Sequence, residues 1–158
     1  IDRRLSFQLH FCGEGTALEA LRKRVKEDGL EDHVFVHGFC GRERLIAMFN
    51  KSHAVVVPTR TSFEEGFAMI CAEAILAGRP LVTSRVCPAI EYVRPATVEV
   101  EPNDVEGYAA AFVRLIEDLD FYARKQYATK ALQDQFYDPG KGYGAALAKA
   151  LRHVGANA

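Results

Sequence analysis

Pro58-Thr-Arg-Thr-Ser-Phe-Glu-Glu-Gly-Phe-Ala-Met-Ile-Cys-Ala-Glu-Ala-Ile-Leu-Ala-Gly-Arg-Pro80 is the stretch from which the fold is read. It leaves an apolar run, Ala54 to Val57, that reads as a buried strand, crosses a polar loop, and enters an apolar helix stopped by Gly78 and Pro80. Within that helix Glu73 is the only charge between Gly66 and Gly78. A carboxylate flanked by Met69, Ile70, Ala74, Ile75 and Leu76 is expected to be buried, and is expensive to desolvate unless something hydrogen-bonds to it. Glu65 stands eight residues earlier, at the expected helix mouth, where free backbone N–H groups and the positive end of the macrodipole gather. Eight residues of helix rise roughly 12 Å and leave the two positions about 80° apart around the axis. Two carboxylates so placed can grip the ends of one elongated, hydroxyl-bearing ligand, with an anion between them at the helix N-terminus.

Outward from this stretch the chain alternates strand and helix. Residues 5–11 alternate as a strand and run into Cys12-Gly-Glu-Gly15; residues 16–28 carry Leu18, Leu21 and Val25 at helical spacing and stop at Gly29. A second strand is expected over 33–37 and a second helix over 42–51, with Leu45, Ile46, Met48 and Phe49. Residues 79–84 read as a fourth strand and 97–100 as a short fifth. Helices then take over. Asn103 or Asp104 is the expected N-cap of one bearing the stripe Tyr108, Phe112, Leu115, Ile116 and Leu119; two more are expected over 121–135 and 143–153. Short apolar strands alternating with amphipathic helices imply an α/β fold, a Rossmann-like three-layer parallel sheet with helices on both faces and right-handed crossovers. In such sheets ligands bind beyond the carboxyl ends of the strands. That is the expected place of Gly13 and Gly15, Gly38 and Phe39, and residues 59–66.

Composition narrows the function classes. A chain of 158 residues, 49% hydrophobic, is one domain able to bury a core. A formal net charge of −1 gives no reason to expect nucleic acid or an anionic membrane as a partner. No run approaches the length of a membrane span and no signal peptide is visible. Cys12, Cys40, Cys71 and Cys87 are widely spaced, without a C-x-x-C pair, and read as buried or half-buried thiols in a reducing cytoplasm. The five histidines are scattered, with no H-E-x-x-H spacing, so no metal site is expected; His10 reads as a satisfied core histidine. No nucleophile elbow or Walker loop supports hydrolase or nucleoside-triphosphatase chemistry. Gly13-Glu-Gly15 lacks the third glycine of a dinucleotide fingerprint, since Leu18 stands there, and no acid ends the second strand, which argues against a dehydrogenase.

Glu65-Gly-Phe-Ala-Met-Ile-Cys-Ala-Glu73, followed by Ala77-Gly-Arg-Pro-Leu-Val-Thr-Ser84, resembles the donor-binding, C-terminal half of retaining two-domain (GT-B) glycosyltransferases of group 1, the family of glycogen synthases, sucrose synthases and many bacterial mannosyltransferases. The resemblance implies that Glu65 contacts hydroxyls of the donor sugar and that Glu73 holds the nucleotide ribose. Gly66, Phe67 and Ala68 would line the donor phosphates and sugar at the helix mouth. Gly13 stands at the family's Gly-x-Gly, as a ligand contact or a tight strand-to-helix turn. Gly38 and Phe39 stand beside the nucleotide base, or are a plain turn with a core phenylalanine. Arg60 is either a donor-phosphate contact or a solvated arginine; Glu64 is a solvated neighbour of Glu65. Thr83 and Ser84 either face the donor or cap a turn.

The chain departs from the family pattern at Ala68, where a glycine is usual and where a methyl group is expected to be tolerated only in a helical conformation. It departs again at Pro88 and Ala89, where a Gly-Gly commonly precedes the acid that Glu91 matches in position. The family's first strand and its cationic loop, and its N-terminal acceptor domain, have no counterpart in the sequence, so the chain reads as a fragment expected to be inactive alone. The intact protein is then expected to be a cytoplasmic, metal-independent glycosyltransferase moving a hexosyl group from a UDP-, GDP- or ADP-sugar, without a further cofactor. Two other readings stay open: a non-catalytic nucleotide- or sugar-binding module, and half of a nucleotide-sugar 2-epimerase.

Overall fold

A computed structural model describes residues 5–155. Its elements follow the expected alternation: β1 (Leu9–Cys12), α1 (Leu18–Glu27), β2 (Val34–Gly38), α2 (Arg42–Lys51), β3 (Val55–Val57), α3 (Met69–Leu76), β4 (Leu81–Ser84), α4 (Ile90–Val93), β5 (Thr97–Val100), α5 (Val105–Glu117), α6 (Leu119–Tyr137) and α7 (Tyr143–Gly155). All three strand pairings are parallel, and they form two ladders, β1-β2 and β3-β4-β5. The α/β architecture of parallel strands and helices is the expected one. The chain divides into two compact units, with the boundary inside α2 between Met48 and Phe49.

In the first unit Leu9, His10 and Phe11 pair with Val34, Phe35 and Val36, and the register slips so that Cys12 meets Gly38. Strand alternation sends His10, Phe35 and His37 to one face, where their rings stack in pairs. His10 is exposed, not a core histidine as its place on an apolar strand predicts. Its Nδ1 lies 2.9 Å from His37 Nε2, and Arg44 donates to His37 Nδ1 at 2.8 Å. Because Arg44 can only donate, the neutral His37 carries its proton on Nε2 and donates to His10. Burial, with Arg44 beside it, lowers the His37 pKa from its ordinary value.

The second unit is layered as the alternation of β4 requires. Leu81 faces a core of Val57, Cys71, Ala74, Ile75, Cys87 and Val93, to which α6 adds Leu132 and Phe136. Val82 faces the other side, against Val100, Ala111, Leu115 and Phe121. All four residues of β4 are buried, so this strand is covered on both faces. Ile75 and Leu81 are fully buried, each contributing about 1.5–3 kcal/mol of transfer free energy. Asp104, rather than Asn103, caps α5: its carboxylate accepts from Gly107 N at 2.9 Å. Asp118 ends α5 and caps α6 through Phe121 N at 2.8 Å. Leu119 therefore leaves the predicted stripe of α5 and opens α6 exposed.

Candidate functional site

The exit of β3 is built from hydroxyl groups. Val57 ends the strand, and its carbonyl accepts from Thr59 N at 2.9 Å and from Thr83 Oγ1 at 2.5 Å. One residue along β4, Ser84 Oγ donates to the carbonyl of Thr59 at 2.6 Å. Thr83 and Ser84 are fully buried, so these hydroxyls neither face an open cleft nor cap a turn. They brace the start of the loop that follows β3, satisfying carbonyls that a loop would otherwise bury unpaired. Thr59, itself buried, passes the constraint on: its Oγ1 donates to Glu65 Oε2 at 2.7 Å. Glu65 is half-buried, and one of its oxygens is committed to Thr59.

Between these two residues the loop faces solvent. Arg60, Phe63 and Glu64 are exposed, and the Arg60 guanidinium has no partner among the described residues. Beyond Glu65 the chain bends at Gly66, and Phe67 packs edge-on against Tyr92 and Phe136, with ring centroids 5.4 and 6.1 Å away. Ala68 then takes φ 54°, ψ 70°, the left-handed conformation, at the N-cap of α3. Two expectations are corrected here. The methyl of Ala68 is tolerated in a left-handed rather than a helical backbone, at about 1–2 kcal/mol of strain. That same residue interrupts the helix, so α3 opens at Met69 instead of Gly66 and Glu65 belongs to a loop. No side chain caps α3; the Cys71 N–H is taken by the carbonyl of Ala68 at 2.8 Å, so the N–H groups of Met69 and Ile70 are the ones left for an acceptor from outside.

Glu73 is the larger correction. The run of apolar neighbours predicts a buried carboxylate, whereas Glu73 is exposed, and its carboxylate has no hydrogen bond or ion pair among the described residues. The reason is helical geometry. Cys71, Ala72, Ala74 and Ile75 take up the inner faces of α3, and Met69, four residues before Glu73 and on the same edge, is 66% exposed. Met69 and Glu73 thus form the outward stripe of a helix whose composition hides it.

Electrostatics connect the loop to the helix. Cys71, in the first turn of α3, has its Sγ 4.0 Å from Cys87 Sγ. Burial pushes the Cys71 thiol far up, the Cys87 thiol adds to this, and the charge of Glu65 adds further. All four cysteines are free; Cys40, Cys71 and Cys87 are buried, and Cys12 is exposed against expectation. Partial burial and the Cys40 thiol push Cys12 up to about 11.

In the first unit Gly13 N donates to Gly38 O at 2.8 Å, tying the two strand ends together. Gly38 has φ 72°, a backbone conformation that favours glycine, while a Cβ there would meet only the tip of the Arg22 side chain at 3.4 Å, so it is the backbone and not space that asks for glycine. Phe39 is 72% exposed, which removes the core-phenylalanine reading. Gly13 and Gly15 have open space where a side chain would stand. Among the described residues no group of three His, Cys, Asp or Glu side chains is placed to hold a metal ion, and no helix is long and apolar enough to cross a membrane. Thr59, expected at the ligand edge as part of residues 59–66 but not singled out there, is the hydroxyl partner of Glu65.

Residues 2–132 match the family described as "Glycosyl transferases group 1". A glycogen synthase of Mycobacterium tuberculosis is 31% identical over 112 residues, 70% of this chain and 26% of that protein, so the chain spans about a quarter of its length. Among solved structures, Anabaena HepE in complex with UDP superposes with a TM-score of 0.77 at 21% identity, over 93% of this chain and 41% of that one. The C-terminal domain of a group 1 family glycosyl transferase, LpcC of Francisella tularensis, superposes with a TM-score of 0.65 at 19% identity, over 77% of this chain and 62% of that domain.

Proposed function

This chain belongs to the group 1 glycosyltransferases, and from that premise we propose that it holds the nucleotide-sugar donor from which a hexosyl group is moved, with retention, to an acceptor. The observation that carries the reading is the state of Glu65: a half-buried carboxylate with one oxygen fixed by Thr59, beside the uncapped start of α3. A carboxylate so held is an oriented acceptor for sugar hydroxyls, and the first-turn N–H groups of α3 suit the donor diphosphate. Glu73, hydrated and unpartnered on the outer edge of α3, is free to accept both hydroxyls of a ribose without first breaking an ion pair. Gly66, Phe67 and Ala68 shape the turn between the two acids. Arg60 supplies an uncommitted cation on the same loop for phosphate oxygens. Within the first unit taken by itself, Gly13 is proposed as a phosphate contact and Gly38 and Phe39 as neighbours of the nucleotide base, met through backbone groups.

Transfer with retention develops negative charge on the departing diphosphate and positive charge on the sugar ring. The contribution asked of these residues is orientation of the donor and stabilisation of that charge, with no metal ion required by the scheme. That HepE was solved in complex with UDP supports a uridine nucleotide as the first donor to try. The test is calorimetric titration of UDP-, GDP- and ADP-sugars into the full-length protein, wild type and Glu73→Ala. One nucleotide series is expected to bind, with the variant about tenfold weaker for sugar-nucleotide and free nucleotide alike. Equal affinity of both forms for every nucleotide would count against the ribose role.

A further inference from the structure

Thr59, in the loop after β3, is the hydroxyl partner of Glu65. We infer that Thr59 is the positioning residue for Glu65, fixing which carboxylate oxygen is presented to a donor sugar; this rests on the donor-site reading above. Three observations combine. The Thr59 hydroxyl donates to Glu65 Oε2 at 2.7 Å, across five intervening loop residues. Its own backbone is held on both sides, by N–H donation to Val57 O at 2.9 Å and by acceptance from Ser84 Oγ at 2.6 Å. The residues that do this holding are buried: Val57 and Thr59 are under a tenth exposed and Ser84 is fully covered.

A glutamate on a loop outside any helix samples several rotamers, and freezing it at the moment of ligand binding is an entropic cost. Thr59 meets that cost in advance. Its single proton is given to Oε2, which leaves Oε1 and the remaining lone pairs for a ligand hydroxyl. The brace begins at β4, the strand covered on both faces, so the orientation of Glu65 is referred to the rigid sheet although Glu65 itself stands in a loop. Thr83, on the next rung, secures the same strand end through Val57 O without touching Glu65.

The test compares wild type, Thr59→Val, Thr59→Ser and Glu65→Gln in the full-length protein, titrated with three pairs of probes: UDP and UDP-glucose, GDP and GDP-mannose, ADP and ADP-glucose. For the pair that binds wild type, the gain in affinity from nucleotide to sugar-nucleotide is the readout. Thr59→Val is expected to lose about tenfold of that gain, as Glu65→Gln does, with affinity for the bare nucleotide unchanged and only the few-degree fall in melting temperature that one lost hydrogen bond brings, and Thr59→Ser is expected to restore the gain. A purely structural threonine would instead move melting temperature and both affinities together. Full sugar gain in Thr59→Val overturns the positioning role. A ligand-free check stands beside it: by NMR the Thr59 hydroxyl proton should exchange slowly in wild type and quickly in Glu65→Ala, and fast exchange in wild type overturns the role alone. Failure of every nucleotide to bind wild type brings down the donor-site reading itself, and Thr59's role with it.

Discussion

Glu65 and Glu73 are the same residue type, eight positions apart, in opposite environments. Glu65 stands on a loop and is half-buried, held by a threonine that is itself braced from a buried strand. Glu73 stands on a helix and is exposed, with no partner among the described residues. A loop residue is thus the constrained one and a helical residue the free one, the reverse of what their elements suggest. The difference teaches that constraint follows the hydrogen bonds and not the regularity of the backbone. An oriented carboxylate suits discrimination among sugar hydroxyls; a hydrated one suits the capture of a diol on arrival, where flexibility costs little.

The contrast is broken most forcefully inside α3. Replacing Ile75, fully buried on the inner face, by alanine is expected to lower stability by about 2–5 kcal/mol, whereas Glu73→Ala on the outer edge should stay within about 0.5 kcal/mol of wild type. Urea unfolding measures both, and a comparable loss in the two variants would return Glu73 to the interior. Ala68, at the junction between the loop and the helix, gives the next effect. Valine there forces a β-branched residue into the left-handed region and should cost about 2 kcal/mol, while glycine relieves strain and gives up a buried methyl, leaving stability within about 1 kcal/mol of wild type. Thermal unfolding of the pair checks the sign; a valine variant as stable as the glycine one would contradict the left-handed backbone.

The smallest effect is alkaline. Cys71 has its thiol raised above the ordinary value of 9.0, so above that pH the unfolded chain sheds a proton that the folded chain keeps. Stability is accordingly complete below pH 9.0 and declines as pH rises beyond it. Cys71→Ala should flatten that decline, followed by urea midpoints from pH 8 to 10. An unchanged slope would show that the thiol is solvated like Glu73, its neighbour on the helix.

Several of these features were legible in advance. The order of strands and helices, the parallel pairing and the stop at Gly78 follow from apolar runs and turn residues, because such patterns record which faces must leave water. Glu65 stands out in the sequence by the Glu-Gly-Phe that it opens and by its spacing to Glu73. Its mate Thr59 does not, since a hydroxyl six residues away gives no periodic signal and becomes a partner only once the loop has folded back. The exposure of Glu73 is hidden in the sequence for a related reason. Ala72, Ala74 and Ile75 are apolar on every side of the linear sequence, yet a helix of eight residues packed on β3, β4 and α6 covers only its inner faces.

The sequence by itself determined the class of fold and the pair of acids worth asking about, because hydrophobic periodicity and residue spacing are properties of the chain before it folds. Only the tertiary structure decided which acid is oriented and which is free, where α3 begins, and that the hydroxyls of β4 serve the loop. Those outcomes depend on hydrogen bonds between residues far apart in the chain and on which edge of a helix its neighbours leave open, and neither quantity is written in any local pattern.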